Sequence, residues 1–196
     1  HSDLEEYAKW STIPIINALT DLEHPCQALA DFFTIQEDFS DFKKVVLAFI
    51  GDGNNVSNSL LLNGLLLGAE IRIACPKGYE PQDYILNKAR EINNNFKITH
   101  DPITAVKGAN VLYTDVWSSM GEESKKNEKD RDFLGYTLDS QMVNNAEPDA
   151  IVMHCLPAYR GKEITDDVID GSNSRIFNQA ENRMHVQQAL LASFLN

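Results

Sequence analysis

Residues 44–68 read KVVLAFIGDGNNVSNSLLLNGLLLG. The run from Lys44 to Ile50 is apolar at successive positions, as a strand buried on both faces requires. Gly51-Asp52-Gly53 breaks it. Asn55 to Gly68 then predicts a helix, with Gly68 near its end. Strand, glycine turn and helix open a βαβ unit, and the alternation continues outward from this stretch. Glu70 to Cys75 (EIRIAC) is a second strand, stopped by Pro76. Pro81 to Asn94 is a helix with proline at its start. Lys97 to His100 is a short strand, and Asp101-Pro102 opens a short helix. Ala109 to Thr114 and Ile151 to His154 are further strands, and Ala180 to Leu195 is a final helix. The predicted class is α/β: a parallel, Rossmann-like sheet with helices on both faces, connected by right-handed crossovers.

Composition narrows the function. The chain has 196 residues, 43% of them hydrophobic, with 9 Phe, 6 Tyr and 2 Trp. That is a folding composition, not a disordered one. No apolar run approaches ~18 residues, so no membrane span is expected. A net charge of -12 argues against a nucleic-acid surface. It leaves room for a small anionic substrate, because one pocket can be positive on an acidic protein. Cys26, Cys75 and Cys155 are odd in number and widely spaced, which suits a reducing compartment and predicts the cytoplasm. The chain starts at His1 with no signal or transit pattern, and the expectation is a piece of a longer protein.

In parallel sheets the ligand sits beyond the carboxyl ends of the strands. In GDGNN the dinucleotide fingerprint fails, because its third glycine is Val56 and the second strand ends in Cys75-Pro76 rather than an acid. No nucleotide cofactor is expected. Asn54 and Asn55 either hold a ligand at a helix N-terminus or cap that helix. Asp115, after the fourth strand, can fix an ammonium group. Ser118, Ser119 and Gly121 suit a loop whose N–H groups receive a carboxylate, or an ordinary turn. The following EESKKNEKDRD reads as a solvated face. In HPCQ, His24 and Gln27 are spaced i, i+3 and point the same way. In HCLP, Cys155 is a contact residue, a nucleophile or inert packing. His24, Cys26, His154 and Cys155 lack paired metal-ligand spacing, and no metal is expected. Arg183, in ENRMH, would reinforce an anion site near a helix start.

HPCQALADFFTIQE, GDGNNV, YTDVWSSMG, HCLPAYRGKEIT and FNQAENRMH, in this order, resemble the ornithine carbamoyltransferase family. The resemblance runs from the LEEYAKWSTIPIINALTD lead-in to the last helix. It implies two α/β domains, the first with a Ser-x-Arg-Thr-Arg phosphate loop that has no counterpart in this sequence. Residues 1–22 would then be a lead-in from the carbamoyl phosphate domain and 23–180 the ornithine-binding domain. Residues 181–196 would be a helix packing back on the first domain. The resemblance implies that His24, Gln27, Cys155, Leu156 and Arg183 meet carbamoyl phosphate, and that Asn55, Asp115, Ser119 and Met120 bind L-ornithine. Catalysis would rest on Cys155, Arg183 and His24. It further implies citrulline and phosphate as products, no metal or organic cofactor, a role in arginine biosynthesis, a homotrimer for the full protein, and an inactive fragment. Aspartate carbamoyltransferases share the fold, but the SMG of Ser119 to Gly121 favours ornithine. Acylated ornithines, putrescine and a non-catalytic interaction domain are the alternatives.

Overall fold

In the computed structural model, residues 1–118, 124 and 126–195 are described. In chain order the elements are α1 (Ser2–Trp10), α2 (Pro25–Asp38), β1 (Val46–Ile50), α3 (Asn55–Leu67), β2 (Glu70–Ala74), α4 (Asp83–Ile92) and β3 (Phe96–Thr99). Then follow α5 (Pro102–Val106), β4 (Val111–Thr114), α6 (Lys126–Asp132), α7 (Ser140–Val143), β5 (Ile151–His154), α8 (Asp166–Ile169) and α9 (Ile176–Leu195). The strands pair in parallel in the order β3-β2-β1-β4-β5. The chain steps from β1 outward to β3, then returns to the other side of β1 for β4 and β5. That reversal puts the topological switch point, where such sheets take their ligands, between β1 and β4.

The alternation of side chains along each strand divides the core in two. Leu47, Phe49, Ile71, Ile73, Val111, Tyr113, Ile151 and Met153 share one cluster with Phe32 and Ile35 of α2, Leu60, Leu61 and Leu65 of α3, and Ile85 and Ala89 of α4. Ala48, Ile50, Ala74, Leu112 and Val152 face the other way, onto Ala105, Val106, Phe133, Leu138, Met142, Val168, Ile169 and Ile176. Helices thus cover both faces of β1, β4 and β5, which is why those strands read as unbroken apolar runs, whereas β2 and β3 toward the edge leave Glu70, Arg72 and Lys97 partly or fully exposed. Gly68 ends α3 in the left-handed region at φ 90°, a conformation that costs glycine nothing.

The last helix begins at Ile176, a turn before the expected Ala180. Its buried residues are Ile176, Gln179 and Asn182, so its inner face is largely polar and hides the apolar period by which a helix start is read. That face lies antiparallel against α2. Gln27 meets Arg183 at 2.9 Å, Asp31 meets Gln179 at 2.6 Å, Thr34 meets Asn182 at 3.1 Å, and Asp38 meets Arg175 at 2.9 Å. Beyond the seam Leu191, Phe194 and Leu195 are exposed, as are Tyr7 and Trp10 of α1. Among the described residues no helix is long and apolar enough to cross a membrane.

Candidate active site

The carboxyl ends of β1, β4 and β5 converge. After β1, Gly53 donates its N–H to the Tyr79 carbonyl at 2.7 Å, and a Cβ there would collide with the backbone of Tyr79 to Pro81. Only glycine lets the two loops pass so closely. Asn54 caps the helix, as one of the two sequence readings had it, and also holds Asp115. Its Oδ1 caps α3 by accepting from the Val56 and Ser57 N–H groups at 3.0 and 3.1 Å. Its Nδ2 donates to Asp115 Oδ2 at 2.8 Å. Asn55 Nδ2 donates to the Thr20 carbonyl at 2.7 Å.

Asp115 follows β4 and is buried. Its Oδ1 accepts from the Val116 N–H at 2.7 Å and from the Cys155 thiol at 3.0 Å. Burial, and then the neighbouring Asp115 charge, push the Cys155 thiol well above its ordinary range. Cys155 is therefore a neutral donor at physiological pH, not a thiolate nucleophile.

The loop after β5 is braced from below. Leu156 lies in the left-handed region at φ 57°, unusual for a side chain of its size. Its N–H donates to His154 Nδ1 at 2.9 Å, which leaves the ring proton on Nε2, facing Glu163 Oε1 at 3.3 Å. Glu163 Oε1 also accepts from the Tyr159 N–H at 2.5 Å. Among the described residues, Asp115, His154 and Cys155 bring one potential metal-ligand atom each within 4.8 Å of one another. Both ring nitrogens of His154 are already engaged by the protein.

His24 starts α2. Its backbone N–H donates to Ser59 Oγ at 2.8 Å, and its buried Nδ1 has no hydrogen-bond partner among the described residues. Burial first, and the Arg183 charge second, depress its pKa, so the ring is neutral. Arg183 reaches over from α9.

A cleft of about 1140 Å³ gathers these groups. Its walls include His24, Asn55, Asp115, Cys155, Leu156 and Arg183. Gln27 is not on the wall. It is 1% exposed and stands behind Arg183, with its carbonyl accepting from Arg183 Nη1 at 2.9 Å and its amide donating to Asp31 Oδ1 at 2.8 Å. Both ends of its amide are used within the protein. Ser119 and Met120 lie outside the described residues. The acidic and basic run after them is exposed at Lys126, Asn127 and Glu128, but not throughout. Lys129 is buried, its Nζ 2.5 Å from Asp52 Oδ2, because α6 turns that one side chain inward under the cleft.

Sequence reading passed over Asp31, Tyr113 and Gln179, which are buried behind Arg183 and Gln27 beneath the cleft. Gln179 Nε2 donates to Asp31 Oδ1 at 2.6 Å, and Tyr113 Oη donates to Asp31 Oδ2 at 3.0 Å. Burial raises the Asp31 carboxyl to about 7. The signal was the i, i+4 spacing of Gln27 and Asp31 on one helix face.

Residues 43–194 match the family model of the Asp/Orn binding domain of aspartate/ornithine carbamoyltransferase, and residues 1–37 match its carbamoyl-P binding domain. The chain belongs to the aspartate/ornithine carbamoyltransferase family. Among curated proteins of this family it is 70% identical to the ornithine carbamoyltransferase of Prochlorococcus marinus (strain MIT 9312), over 100% of the chain and 65% of that relative. Among solved structures it matches ornithine carbamoyltransferase from Pyrococcus furiosus with a TM-score of 0.93 and 48% identity, covering 98% of this chain and 63% of that one. The enzyme from Gloeobacter violaceus matches with a TM-score of 0.91 and 45% identity, over 100% and 67%. The chain thus spans about two thirds of the length of these carbamoyltransferases. The match to the first family model ends at residue 37, within α2, and the match to the second begins at residue 43.

Proposed function

We propose that the full-length protein transfers the carbamoyl group of carbamoyl phosphate to the δ-amine of L-ornithine, giving L-citrulline and phosphate. The observation that carries this is one cleft with two chemically distinct ends. At one end Asp115 is held by Asn54 and Cys155 at the switch point of the sheet. At the other, the Arg183 cation stands beside the neutral ring of His24.

Asp115 takes the α-ammonium of ornithine, with Asn55 beside it, while the Ser119–Met120 backbone takes the α-carboxylate. Cys155, as a neutral thiol, steadies Asp115 and steers the amine past the Leu156 carbonyl. The δ-amine attacks as the free base, after losing the proton that its solution pKa of ~10 would keep on it. The new C–N bond forms at the carbamoyl carbon and negative charge gathers on the carbamoyl oxygen. The C–O bond to phosphate then breaks, and phosphate carries away the bonding pair together with the second proton that the attacking nitrogen sheds. Arg183 donates to it, a contact of the kind whose loss typically costs roughly 2.7–4 kcal/mol. His24 offers its free Nδ1 to the carbamoyl group. Amine attack on an activated carbamoyl group needs neither redox chemistry nor an electron sink, so no cofactor is invoked.

On the same reading the full protein is a cytoplasmic homotrimer serving arginine biosynthesis. The chain spans 65% of its curated relative, and the activity proposed is that of the whole protein. Within it, the lead-in and α2 serve the carbamoyl phosphate side. Assay of the full-length protein with carbamoyl phosphate and, in parallel, ornithine, N-acetylornithine, putrescine and aspartate tests the proposal. Turnover of ornithine alone is expected. Turnover of an amine without a free α-ammonium overturns the assignment of Asp115, and no turnover of any amine favours a non-catalytic domain.

A further inference from the structure

Beneath the cleft lies a carboxyl group that touches no surface. Asp31 is 0% exposed, and its oxygens are surrounded by Gln27, Gln179 and Tyr113. Two donors of fixed identity determine how these groups are oriented. The backbone N–H of His154 points at the side chain of Gln179 at 3.0 Å, so the carbonyl of Gln179 must face it, and its NH₂ must face Asp31. Arg183 has only donors, so the carbonyl of Gln27 must face it, and the NH₂ of Gln27 must face Asp31 as well. Both chains of hydrogen bonds end at Asp31 Oδ1. Position 31 must therefore present an acceptor to two amides at once, in a place closed to water. If it fails to, the Gln27 amide has reason to turn over and set its NH₂ against the guanidinium.

We propose that Asp31 is a positioning residue for carbamoyl transfer: it fixes the orientation of the Gln27 amide, and through it holds Arg183 over the carbamoyl site. This rests on the reaction proposed above. It adds to Gln27 the task of aligning Arg183. It also makes the register of α9 against α2 part of the catalytic geometry, because Gln27 and Asp31 lie on one helix and Arg183 and Gln179 on the other.

The experiment uses the full-length protein and steady-state kinetics in both substrates. Asp31→Ser should lower kcat/KM for carbamoyl phosphate about 100-fold, the scale of a small misplacement of a reacting group. The KM for ornithine should stay within about threefold, and a general loss of structure would not separate the two substrates in this way. Asp31→Asn keeps one oxygen for the two amides and should retain activity within about fivefold. Gln27→Met breaks the link from the other side and should match the Asp31→Ser loss, which keeps the test alive if Asp31→Ser does not fold. In the Gln27→Met background Asp31→Ser should add less than about threefold, because both act through one path. Losses that multiply, an equal rise in both KM values, or full activity of Gln27→Met overturn the inference while leaving the reaction intact. Absence of citrulline from the unsubstituted protein removes the reaction reading itself, and the inference with it.

Discussion

The thiol of Cys155 donates a 3.0 Å hydrogen bond to the carboxylate of Asp115, and the two residues directly follow the paired strand ends Thr114 and His154. The register of β4 and β5 sets that contact, with no loop needed to search for it. A hydrogen bond to a charged group contributes ~1.5–3 kcal/mol. Cys155→Ala should therefore lower kcat/KM for ornithine by about 10- to 100-fold in the full-length enzyme, whereas Cys155→Ser, which still donates, should lose less. Carbamoyl phosphate should still bind both variants in calorimetry. Unchanged ornithine kinetics in Cys155→Ala would show that the thiol only fills space.

Asp31 gives a pH signature in stability. Its folded carboxyl titrates near about 7, against ~3.9 when unfolded. Between those values the folded chain keeps a proton that the unfolded chain has released, so this group's contribution to stability falls as pH rises through that window. Asp31→Asn has no such proton. Its stability relative to the unsubstituted protein should improve by about 2 kcal/mol between pH 5 and pH 8. Urea midpoints at the two pH values measure this. The depressed pKa of His24 tilts stability the opposite way in mildly acidic solution, and it does so in both proteins, so it cancels in the difference. A constant offset across pH would place the Asp31 proton elsewhere.

The pair of buried Lys129 and part-buried Asp52 supports the cleft from α6. Removing the cation takes from Asp52 a partner 2.5 Å away, and losing a hydrogen bond to a charged group costs about 1.5–3 kcal/mol. Lys129→Met should show most of that loss in chemical denaturation, and substituting the exposed Lys126 should show almost none.

Gly53→Ala should be severe for a residue that carries no chemistry. The added methyl meets the backbone of Tyr79 to Pro81, which has no flexible end to withdraw. The loop must move, and Asn54 with it, so the bond to Asp115 is strained. A stability loss of about 1–3 kcal/mol is expected, as for overpacking generally, together with a raised KM for ornithine. Thermal melts and kinetics on one preparation check both.

The parallel sheet was legible because its strands are covered on both faces, and nothing polar interrupts Val46 to Ile50 or Val111 to Thr114. The cleft walls were legible because His24, Asp115 and Cys155 stand at element ends, where a sheet of this kind collects its chemistry; Arg183, expected near a helix start, instead lies about two turns inside α9, because that helix begins at Ile176. The groups beneath the cleft were not legible. Asp31 and Gln179 look like surface residues of amphipathic helices until α2 and α9 are seen to pack through their polar sides. Lys129 was hidden by its neighbours, since a charge run gives no sign of which cation turns inward. The bond between Gln27 and Arg183 was not legible either: i, i+3 spacing places Gln27 on the face of His24 but does not show that Arg183 arrives from α9 to meet it.

The seam between α2 and α9 joins residues 137 to 156 positions apart. During synthesis α2 emerges early and waits through the whole of the sheet for its partner. Contacts of such long range form last and close slowly. The ammonium end of the cleft, built from β4 and β5, can be in place while Arg183 is still inside the ribosome. The carbamoyl end cannot, because its cation arrives with the final helix. Ordering of the site during biogenesis thus runs from acceptor to donor, and a nascent chain released before α9 carries a half-site that holds the amine but has no charge to aim at the group it would receive.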